Sequence, residues 1–310
     1  MNTMNTQSNA MPEARTAVPG VMKATQPFFW SVQRELWEIR SIYVAPLAAG
    51  GLIVFGSLLS TVHLASKMRA AMALDPMKQM ERIQQPYNFA ALLMMGVYLV
   101  VAVFYCLDAL HGERRDRSIL FWKSMPVSDL TTVLSKAFIP VVILPLITFA
   151  ITFAVQWIML LIGSLVLLAH GMSAAILWRQ LPLTQMWVML FFHLFAIHGV
   201  YWAPIYAWLI LVSGWARRAV FLWAGLPLLA VGVVEKIAFN TAHFGRLLLS
   251  QLVGGKDIGS MTAPGNEMMH PLTLGAVGQF LVSPGLWIGL AFAAVFLAAA
   301  VRLRRYQGPI

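Results

Sequence analysis

Two histidines in one apolar segment are the residues of this chain best suited by type to metal or haem chemistry. His193 and His198 lie five positions apart within residues 186–212. In a regular α-helix each residue turns by about 100°, so the two rings point about 140° apart and cannot share one ion. The chain has no H-E-x-x-H sequence. We therefore expect no bound metal or cofactor, and a haem- or metal-bearing redox subunit built on these histidines is the alternative interpretation.

A phosphate-binding loop is the second chemistry to consider. Its sequence, G-x-x-x-x-G-K-[ST], places backbone N–H groups around phosphate. The nearest match is Gly255-Lys256-Asp257, which lacks the hydroxyl residue after the lysine and has Ser250 where the first glycine belongs. We expect no ATP hydrolysis by this chain, and with no catalytic constellation found we do not expect an enzyme.

Residues 108–136 form the most informative segment, DALHGERRDRSILFWKSMPVSDLTTVLSK. Phe121 and Trp122 belong to an apolar stretch that stands among five Lys/Arg residues. Pro126 interrupts the chain, and Ser128 is placed to cap the helix that follows. A short helix with an aromatic pair beside charges suits the groove of a protein partner. Contact with anionic lipid headgroups alone is the alternative.

The composition places these segments in a membrane protein. The chain has 310 residues, of which 59% are hydrophobic and 11% charged, and its mean hydropathy is +0.74. Soluble domains carry about 25% charged residues, and a soluble chain of this length could not bury so much apolar surface. A soluble enzyme, a nucleic-acid-binding protein and a disordered protein are excluded. The chain has a net charge of +10, which is expected for a membrane protein because Lys and Arg are concentrated in its cytoplasmic loops.

Six apolar segments are long enough to cross a bilayer, which takes about 20 helical residues. The sequence therefore predicts an all-α membrane protein with six transmembrane helices, near 41–62, 89–107, 137–168, 186–212, 220–238 and 284–301. The third segment is unusually long. It must tilt, project from the membrane, or bend at Pro140 or Pro145.

The ends of the chain are predicted to lie in the cytoplasm. Residues 1–26 are polar and predict a disordered cytoplasmic tail, which leaves 27–310 as the transmembrane domain. Fourteen of the 22 Lys/Arg residues fall on the side of the two termini, as the positive-inside rule requires. Before the first span, helical spacing predicts an interfacial helix, or one packed on protein, with an apolar face of Phe29, Val32, Leu36, Ile39 and Tyr43.

The loop between spans two and three resembles the coupling-helix region of permease subunits in type-2 ABC exporters. That family tends to show a glutamate soon after span two, a run of basic and small residues, a hydrophobic stretch, a "PVS" element and a lysine at the next span. Here these are Glu113, residues 114–118, 119–122 and 126–128, and Lys136. The interfacial helix, the six spans and the outer segment between spans five and six agree at the level of architecture.

The resemblance implies a permease subunit without its own motor, in the inner membrane of a bacterium. Such permeases pair, here with a second copy or a different permease, and bind two soluble ATPase subunits that hold the ATP. The expected partners are this ATPase, the second permease and membrane lipids, and no nucleic acid. Coupling would use charged contacts and a buried aromatic anchor, supplied by Glu113, Arg114, Arg117, Phe121, Trp122 and Pro126.

Polar residues within the spans are candidates for the translocation path. Thr148, Thr152 and Gln156 recur every four residues and form a stripe on one helix face. In hydrocarbon this stripe must face protein or water, so it either joins helices or lines the path. Glu235 interrupts span five near its outer end, where structural and path roles are both open. The resemblance to the exporter permeases implies that the segment after span five re-enters the outer edge of the membrane; residues 240–254 are the candidate for such a helix, which their weak amphipathicity leaves open.

Overall fold

A computed structural model describes residues 25–124, 127–253 and 280–308. Every regular element in these ranges is a helix, so the predicted all-α fold class is confirmed. Six helical segments are long and apolar enough to cross a membrane, and the chain is a multi-pass membrane protein. The tail predicted over residues 1–26 lies outside the described residues except for its last two positions.

The first half of the chain contains two spans, the loop between spans two and three, and the start of span three. Its helices are α1 (Thr25–Glu38), α2 (Ser41–Ser60), a 3₁₀ turn (Thr61–His63), α3 (Leu64–Met72), α4 (Pro76–Asp108), α5 (His111–Arg115), α6 (Ser118–Ser124) and α7 (Asp129–Phe138). The predicted cap of α7 is confirmed, because the Ser128 hydroxyl accepts a hydrogen bond from the backbone N–H of Thr131 at 3.0 Å.

The second half completes span three and contains spans four to six. Its helices are a π-helix (Ile139–Ile143), α8 (Leu144–Ala169), α9 (Ala175–Gln180), α10 (Leu183–Phe192), a second π-helix (His193–Tyr201), α11 (Ala203–Trp215), α12 (Val220–Phe239), α13 (His243–Val253) and α14 (Pro284–Tyr306). Span four consists of α10, the second π-helix and α11.

Spans two and three are longer than a bilayer requires. Helix α4 has 33 residues and is about 50 Å long at 1.5 Å per residue. Span three runs over Asp129–Ala169, 41 residues, or about 60 Å. The apolar core of a bilayer is about 30 Å thick, and tilting alone does not fit helices of this length within it. We therefore expect one end of each helix to project from the apolar core. A hydrophobic cluster that includes Met68, Tyr87 and Leu160 packs these projecting ends together.

The main hydrophobic core surrounds α4. Tyr98, Ala102 and Cys106 lie on one face of this helix and are completely buried, packed with residues of α2, α7 and α11. Cys106 is a free thiol and fills core volume, as the sequence predicts for a single cysteine in an apolar run. The remaining surface of the spans is apolar and exposed, as for helices that face lipid or another membrane subunit.

Each of spans three and four contains a π-helix, and the two lie against each other. Pro140 has no N–H to donate and its ring obstructs the preceding turn, which accounts for the first of them. The Tyr98 hydroxyl lies 2.8 Å from the carbonyl oxygen of Pro140 and 3.1 Å from that of His198. It also lies 3.0 Å from the Tyr206 hydroxyl. These hydroxyls provide partners for backbone groups that hydrocarbon cannot satisfy.

The second π-helix overturns the sequence argument about the histidines. A π-helix forms i→i+5 hydrogen bonds, so residues five apart lie about one turn apart on the same face. The ring centres of His193 and His198 are 6.5 Å apart. The predicted separation of about 140° was wrong because it assumed the 3.6 residues per turn of an α-helix.

Gly199 is where the two π-helices approach most closely. A Cβ added there would lie 2.8 Å from the carbonyl oxygen of Val141, a backbone atom that cannot move aside alone. We expect Gly199→Ala to lower stability by about 1–3 kcal/mol, the usual cost of overpacking. The measurement is thermal unfolding of the purified chain in detergent. The matched control is Gly96→Ala on α4, where an added Cβ meets nothing within 4 Å; equal melting temperatures for the two variants would refute the close contact.

Span five contacts the rest of the chain little, and its C-terminal end is bonded to the helix that follows. None of the residues of α12 is buried. After Asn240, which has a left-handed backbone (φ 48°), α13 turns back along the bundle. The side chain of Gln251, near its end, donates a hydrogen bond to the carbonyl oxygen of Tyr201. Residues His243–Val253 form a helix, and the re-entrant position suggested for residues 240–254 stays a prediction.

Candidate functional site: a buried ionic cluster

Four helices that are far apart in sequence bring six charged side chains together at one end of the bundle. We call this group the ionic cluster. Its members come from α1, α5, α7 and α14 and are Arg34, Glu35, Glu113, Asp129, Lys136 and Arg304. Three of the six are acidic and three are basic, and Arg34 also forms an ion pair with the more exposed Glu38 at 3.5 Å. We call this end of the bundle, which also carries α5 and α6, the loop end.

Glu113 is the centre of the ionic cluster. Its Oε1 lies 2.9 Å from Arg34 Nη2 and 3.2 Å from Lys136 Nζ. Its Oε2 lies 3.2 Å from Arg304 Nη2. Only 5% of the residue is exposed. One carboxylate thus joins α1, the start of span three and the end of span six.

Glu35 is the second buried carboxylate and is 1% exposed. Its Oε1 lies 2.8 Å from Lys136 Nζ and 2.7 Å from Arg34 Nη2. Its Oε2 accepts a hydrogen bond from the Tyr105 hydroxyl at 3.0 Å. Because Tyr105 is on α4, this contact connects α1 to span two. Burial alone would lower the pKa of the Arg34 guanidinium, but Glu35 and Glu113 outweigh it and raise the pKa.

Asp129 and Arg304 extend the cluster towards the exposed surface. Arg304 bonds the Asp129 carboxylate through one guanidinium nitrogen and Glu113 through the other. Asp129 is the first residue of α7, where a negative charge is also favoured by the helix dipole. Ions buried in this way are costly to remove from water and are stable only when each is paired. The cluster therefore fixes the relative positions of its four helices.

Helices α5 and α6 are also joined to the ends of spans four and six. The Arg114 guanidinium donates to the carbonyl oxygens of Gly214 and Gly308. Lys123 Nζ donates to the carbonyl oxygen of Gln307 at 2.9 Å. Cations at a helix C-terminus satisfy its free carbonyls and oppose its dipole. The loop is thus held by α11 and α14 as well as by the cluster.

The predicted coupling residues divide into buried and exposed groups. Glu113 and Arg114 are buried and contact this chain. Trp122 is half-buried, and the Arg34 guanidinium carbon lies 3.8 Å from the centre of its ring, which is a cation–π contact. Arg117 and Phe121 are exposed. The sixth predicted residue, Pro126, lies outside the described residues.

Phe121 occupies an exposed position on a firmly held base. Its ring packs edge-on against Trp122 at 4.9 Å between centres, yet Phe121 and Leu120 are each 59% exposed. Arg117 has a left-handed backbone, with φ 57°, and separates α5 from α6. Arg115 and Lys123, which are near these residues in sequence, are also exposed, and Arg115 pairs with the exposed Asp116 at 3.0 Å. We call Leu120, Phe121 and the three cations Arg115, Arg117 and Lys123 the loop tip.

The polar stripe of span three lies in helix–helix packing. Thr148, Thr152 and Gln156 are at most 1% exposed. The amide of Gln156 donates to the carbonyl oxygen of Tyr87 at 3.1 Å, and its oxygen accepts from the indole of Trp187 at 2.8 Å. Gln156 thus joins span three to spans two and four, whereas Thr152 bonds its own helix and the Thr148 hydroxyl has no hydrogen-bond partner. The stripe would reach a path only if those spans separated.

Glu235 holds the start of the returning helix α13. Its carboxylate accepts hydrogen bonds from the Thr241 hydroxyl and from the backbone N–H groups of His243 and Phe244, at 2.6–2.8 Å. These are the donors that a helix N-terminus leaves without partners. In the structure Glu235 therefore has the structural role that the sequence left open beside a path role.

Glu35 is the site residue that the sequence analysis missed. Its neighbours at positions −3, +1 and +4, which are Val32, Leu36 and Ile39, are apolar and face the core. That pattern was the available signal that the carboxylate faces inwards. Of the predicted apolar face of α1, Val32, Leu36 and Ile39 pack on the core, whereas Phe29 is 62% exposed, like Trp30 and Trp37.

Comparison with known proteins adds no relative. No protein-family model matches the chain, and neither a curated protein nor a solved structure is similar to it. The function must therefore be argued from the site itself.

Proposed function

We propose that this chain is the membrane-spanning permease subunit of an ATP-driven exporter and couples to a separate ATPase through residues 108–136. ATP would be held by the partner, and the chain itself would be no enzyme. The proposal places the loop end and both termini in the cytoplasm of a bacterium whose inner membrane contains the protein. A second copy of the chain would complete the substrate path.

The observation that carries the proposal is the contrast between the loop tip and its base. Leu120 and Phe121 are exposed at the end of the bundle, whereas Glu113 and Arg114 beneath them are buried and bonded to other helices. A surface that must transmit movement needs an exposed anchor and a rigid connection to the spans. Both features occur here within a dozen residues of sequence.

The chemistry of the loop tip indicates the surface that it would contact. A phenylalanine and a leucine fit an apolar pocket, and burying such an anchor provides most of the affinity in many interfaces. Arg115, Arg117 and Lys123 around them favour an acidic rim and hasten encounter with it. We therefore expect the ATPase to present an apolar pocket with acidic residues at its edge.

The ionic cluster supports a route by which movement at the loop tip would reach the spans. Trp122 contacts Arg34, and Arg34 contacts Glu113. From Glu113, ion pairs lead to span three through Lys136 and to span six through Arg304. A displacement of α6 would therefore act on the interfacial helix and two spans together.

Purification of the tagged chain from its host in mild detergent tests the proposal. Mass spectrometry of the preparation should identify a soluble protein with a G-x-x-x-x-G-K-[ST] sequence, and nucleotide with cross-linking should increase its yield. Failure to recover any such ATPase under these conditions would refute the proposal. A Soret band in the visible spectrum of the preparation would instead favour the haem-bearing alternative.

A further inference from the structure

A row of exposed apolar side chains follows the last part of α8, at the end of the bundle opposite the loop end. Its members recur at spacings of three, four and three residues, and we call them the leucine stripe: Ile158, Leu161, Leu165 and Leu168. They are 41–67% exposed. Helix α8 contains no charged residue, so no charge interrupts the stripe.

Helix α4 brings a charged side chain to the level of the leucine stripe. The Gln156 amide donates to the carbonyl oxygen of Tyr87 at 3.1 Å, which sets the register between α8 and α4. The two helices belong to consecutive spans and therefore run in opposite directions. Arg82, an exposed residue of α4, precedes Tyr87 by five positions and so lies about 7 Å further from the loop end, level with Leu161.

The short helix α9 brings a second cation to the same level. The indole N–H of Trp178 donates to the Ser164 hydroxyl at 3.2 Å, and the next residue, Arg179, is exposed. The carbonyl oxygen of Gln180 accepts a hydrogen bond from the amide of Gln84 on α4 at 3.3 Å. Helices α8, α9 and α4 are thus joined here, and two of them carry exposed arginines.

The positions of these arginines bear on what covers the leucine stripe. Exposed guanidinium groups are costly in hydrocarbon, so the level of Arg82 and Arg179 lies at or beyond the boundary of the apolar core. Leu161 is at this level, and Leu165 and Leu168 lie further out along α8. Lipid tails therefore do not cover them, and a contiguous apolar surface outside the lipid is typical of a protein interface.

Membrane insertion and the spacing of the stripe favour a second copy of the chain as the protein that covers it. Copies in one membrane have the same orientation, so a two-fold axis perpendicular to the membrane places α8 parallel to α8 of the partner. In such a pair each residue near the axis faces the same residue of the other copy. The three-four-three spacing is that of the a and d positions of a parallel coiled coil, and an uncharged stripe is complementary to itself.

We infer that two copies of this chain pair through the leucine stripe. The inference rests on the proposed function for the pairing of two copies, and it adds the surface at which they meet. Because the stripe and the loop tip lie at opposite ends of the bundle, the paired chains leave both loop tips open to the ATPase.

Oxidative cross-linking of Leu165→Cys in native membranes tests this pairing. A disulfide requires the two Cα atoms to be within about 7 Å, which one position in two paired helices satisfies beside the axis. Cys106, the native cysteine, is buried and is not expected to react. We expect a disulfide-linked product of about twice the 34.3 kDa of the chain.

The matched control is Met77→Cys on α4. Met77 is 64% exposed and precedes Tyr87 by ten positions, about 15 Å along the helix, so it is level with the leucine stripe. It lies on the other side of α8, because Gln156, which bonds α4, is two positions from Ile158 and about 200° around the helix. Met77→Cys should remain a monomer. No cross-link with Leu165→Cys, or equal cross-linking of both variants, would overturn the inference.

A charge in the middle of the leucine stripe provides a second test. Leu165→Lys would place two like charges opposite each other, while the fold should persist because the side chain is exposed. By light scattering in mild detergent, we expect the unmodified chain and Met77→Lys to be dimers and Leu165→Lys to be a monomer. A dimeric Leu165→Lys chain would overturn the inference, and so would a monomeric unmodified chain.

The cross-linking result is separable from the test of the proposed function. A pair cross-linked through Leu165→Cys in a chain that recovers no ATPase would support the leucine stripe and refute the proposed function. Recovery of the ATPase by a chain whose Leu165→Cys variant does not cross-link would refute only the pairing through the stripe.

Discussion

Replacement of Glu113 by glutamine is expected to destabilise the chain by about 3–5 kcal/mol, the usual cost of breaking a buried ion pair by removing one partner. The neutral side chain would leave the buried Lys136 and Arg304 and the half-buried Arg34 with one carboxylate fewer. Thermal unfolding in detergent would measure the effect as a lower melting temperature.

Two further variants separate this charge effect from a general disturbance of the loop. Asp116→Asn removes a carboxylate three residues away whose side chain is exposed, and it should change stability little because surface ion pairs contribute little. Glu113→Gln combined with Lys136→Gln restores the charge balance and should lose less than the two single variants added together. A Glu113→Gln chain that melts with the unmodified protein would contradict the central position of this carboxylate.

Replacement of Phe121 by alanine is expected to release the ATPase while leaving the chain as stable as before. The ring is largely exposed, so its loss removes little packing within the chain. Loss of an interface anchor costs at least about 2 kcal/mol, which is about a thirtyfold weaker complex. The amount of ATPase recovered with the tagged chain measures this loss.

The control for Phe121 is another exposed phenylalanine. Phe29 on α1 is 62% exposed and lies outside the loop tip, so Phe29→Ala should recover the ATPase in full. Equal recovery with Phe121→Ala and the unmodified chain would show that the loop tip is not the anchor. Equal loss in both alanine variants would indicate a general effect of exposed aromatic residues.

The spans could be predicted from sequence because their signal is local. Each run of apolar residues has the length that a bilayer demands, and the six predicted segments all coincide with helices. The cap at Ser128 was predictable for the same reason, since the side chain and the N–H that it bonds are three residues apart. Pro140 indicated from sequence alone that the helix of span three would be irregular.

The ionic cluster could not be assembled from sequence because its contacts are not local. Arg304 and Glu113 are 191 positions apart, and Lys136 and Glu35 are 101 apart. The charge of Glu113 suggested contact with a partner protein. In the structure its carboxylate is buried and pairs with Lys136 of α7 and Arg304 of α14. The second π-helix contains no proline, so no residue indicated a departure from α-helical geometry. The sequence argument therefore assumed the periodicity of an α-helix and placed His198 on a different face from His193.

The spacing of the ionic cluster along the chain also sets the order in which the protein can be completed during synthesis. Arg34, Glu35, Glu113 and Lys136 are made and inserted well before the ribosome reaches Arg304. Until then Asp129 lacks the guanidinium that it bonds, and Glu113 has only two of its three cations. The nascent protein therefore has an incomplete set of ion pairs in the cluster until the last helix is made. A chain that ends before α14 lacks Arg304 and leaves Glu113 and Asp129 without the guanidinium that both bond in the finished protein.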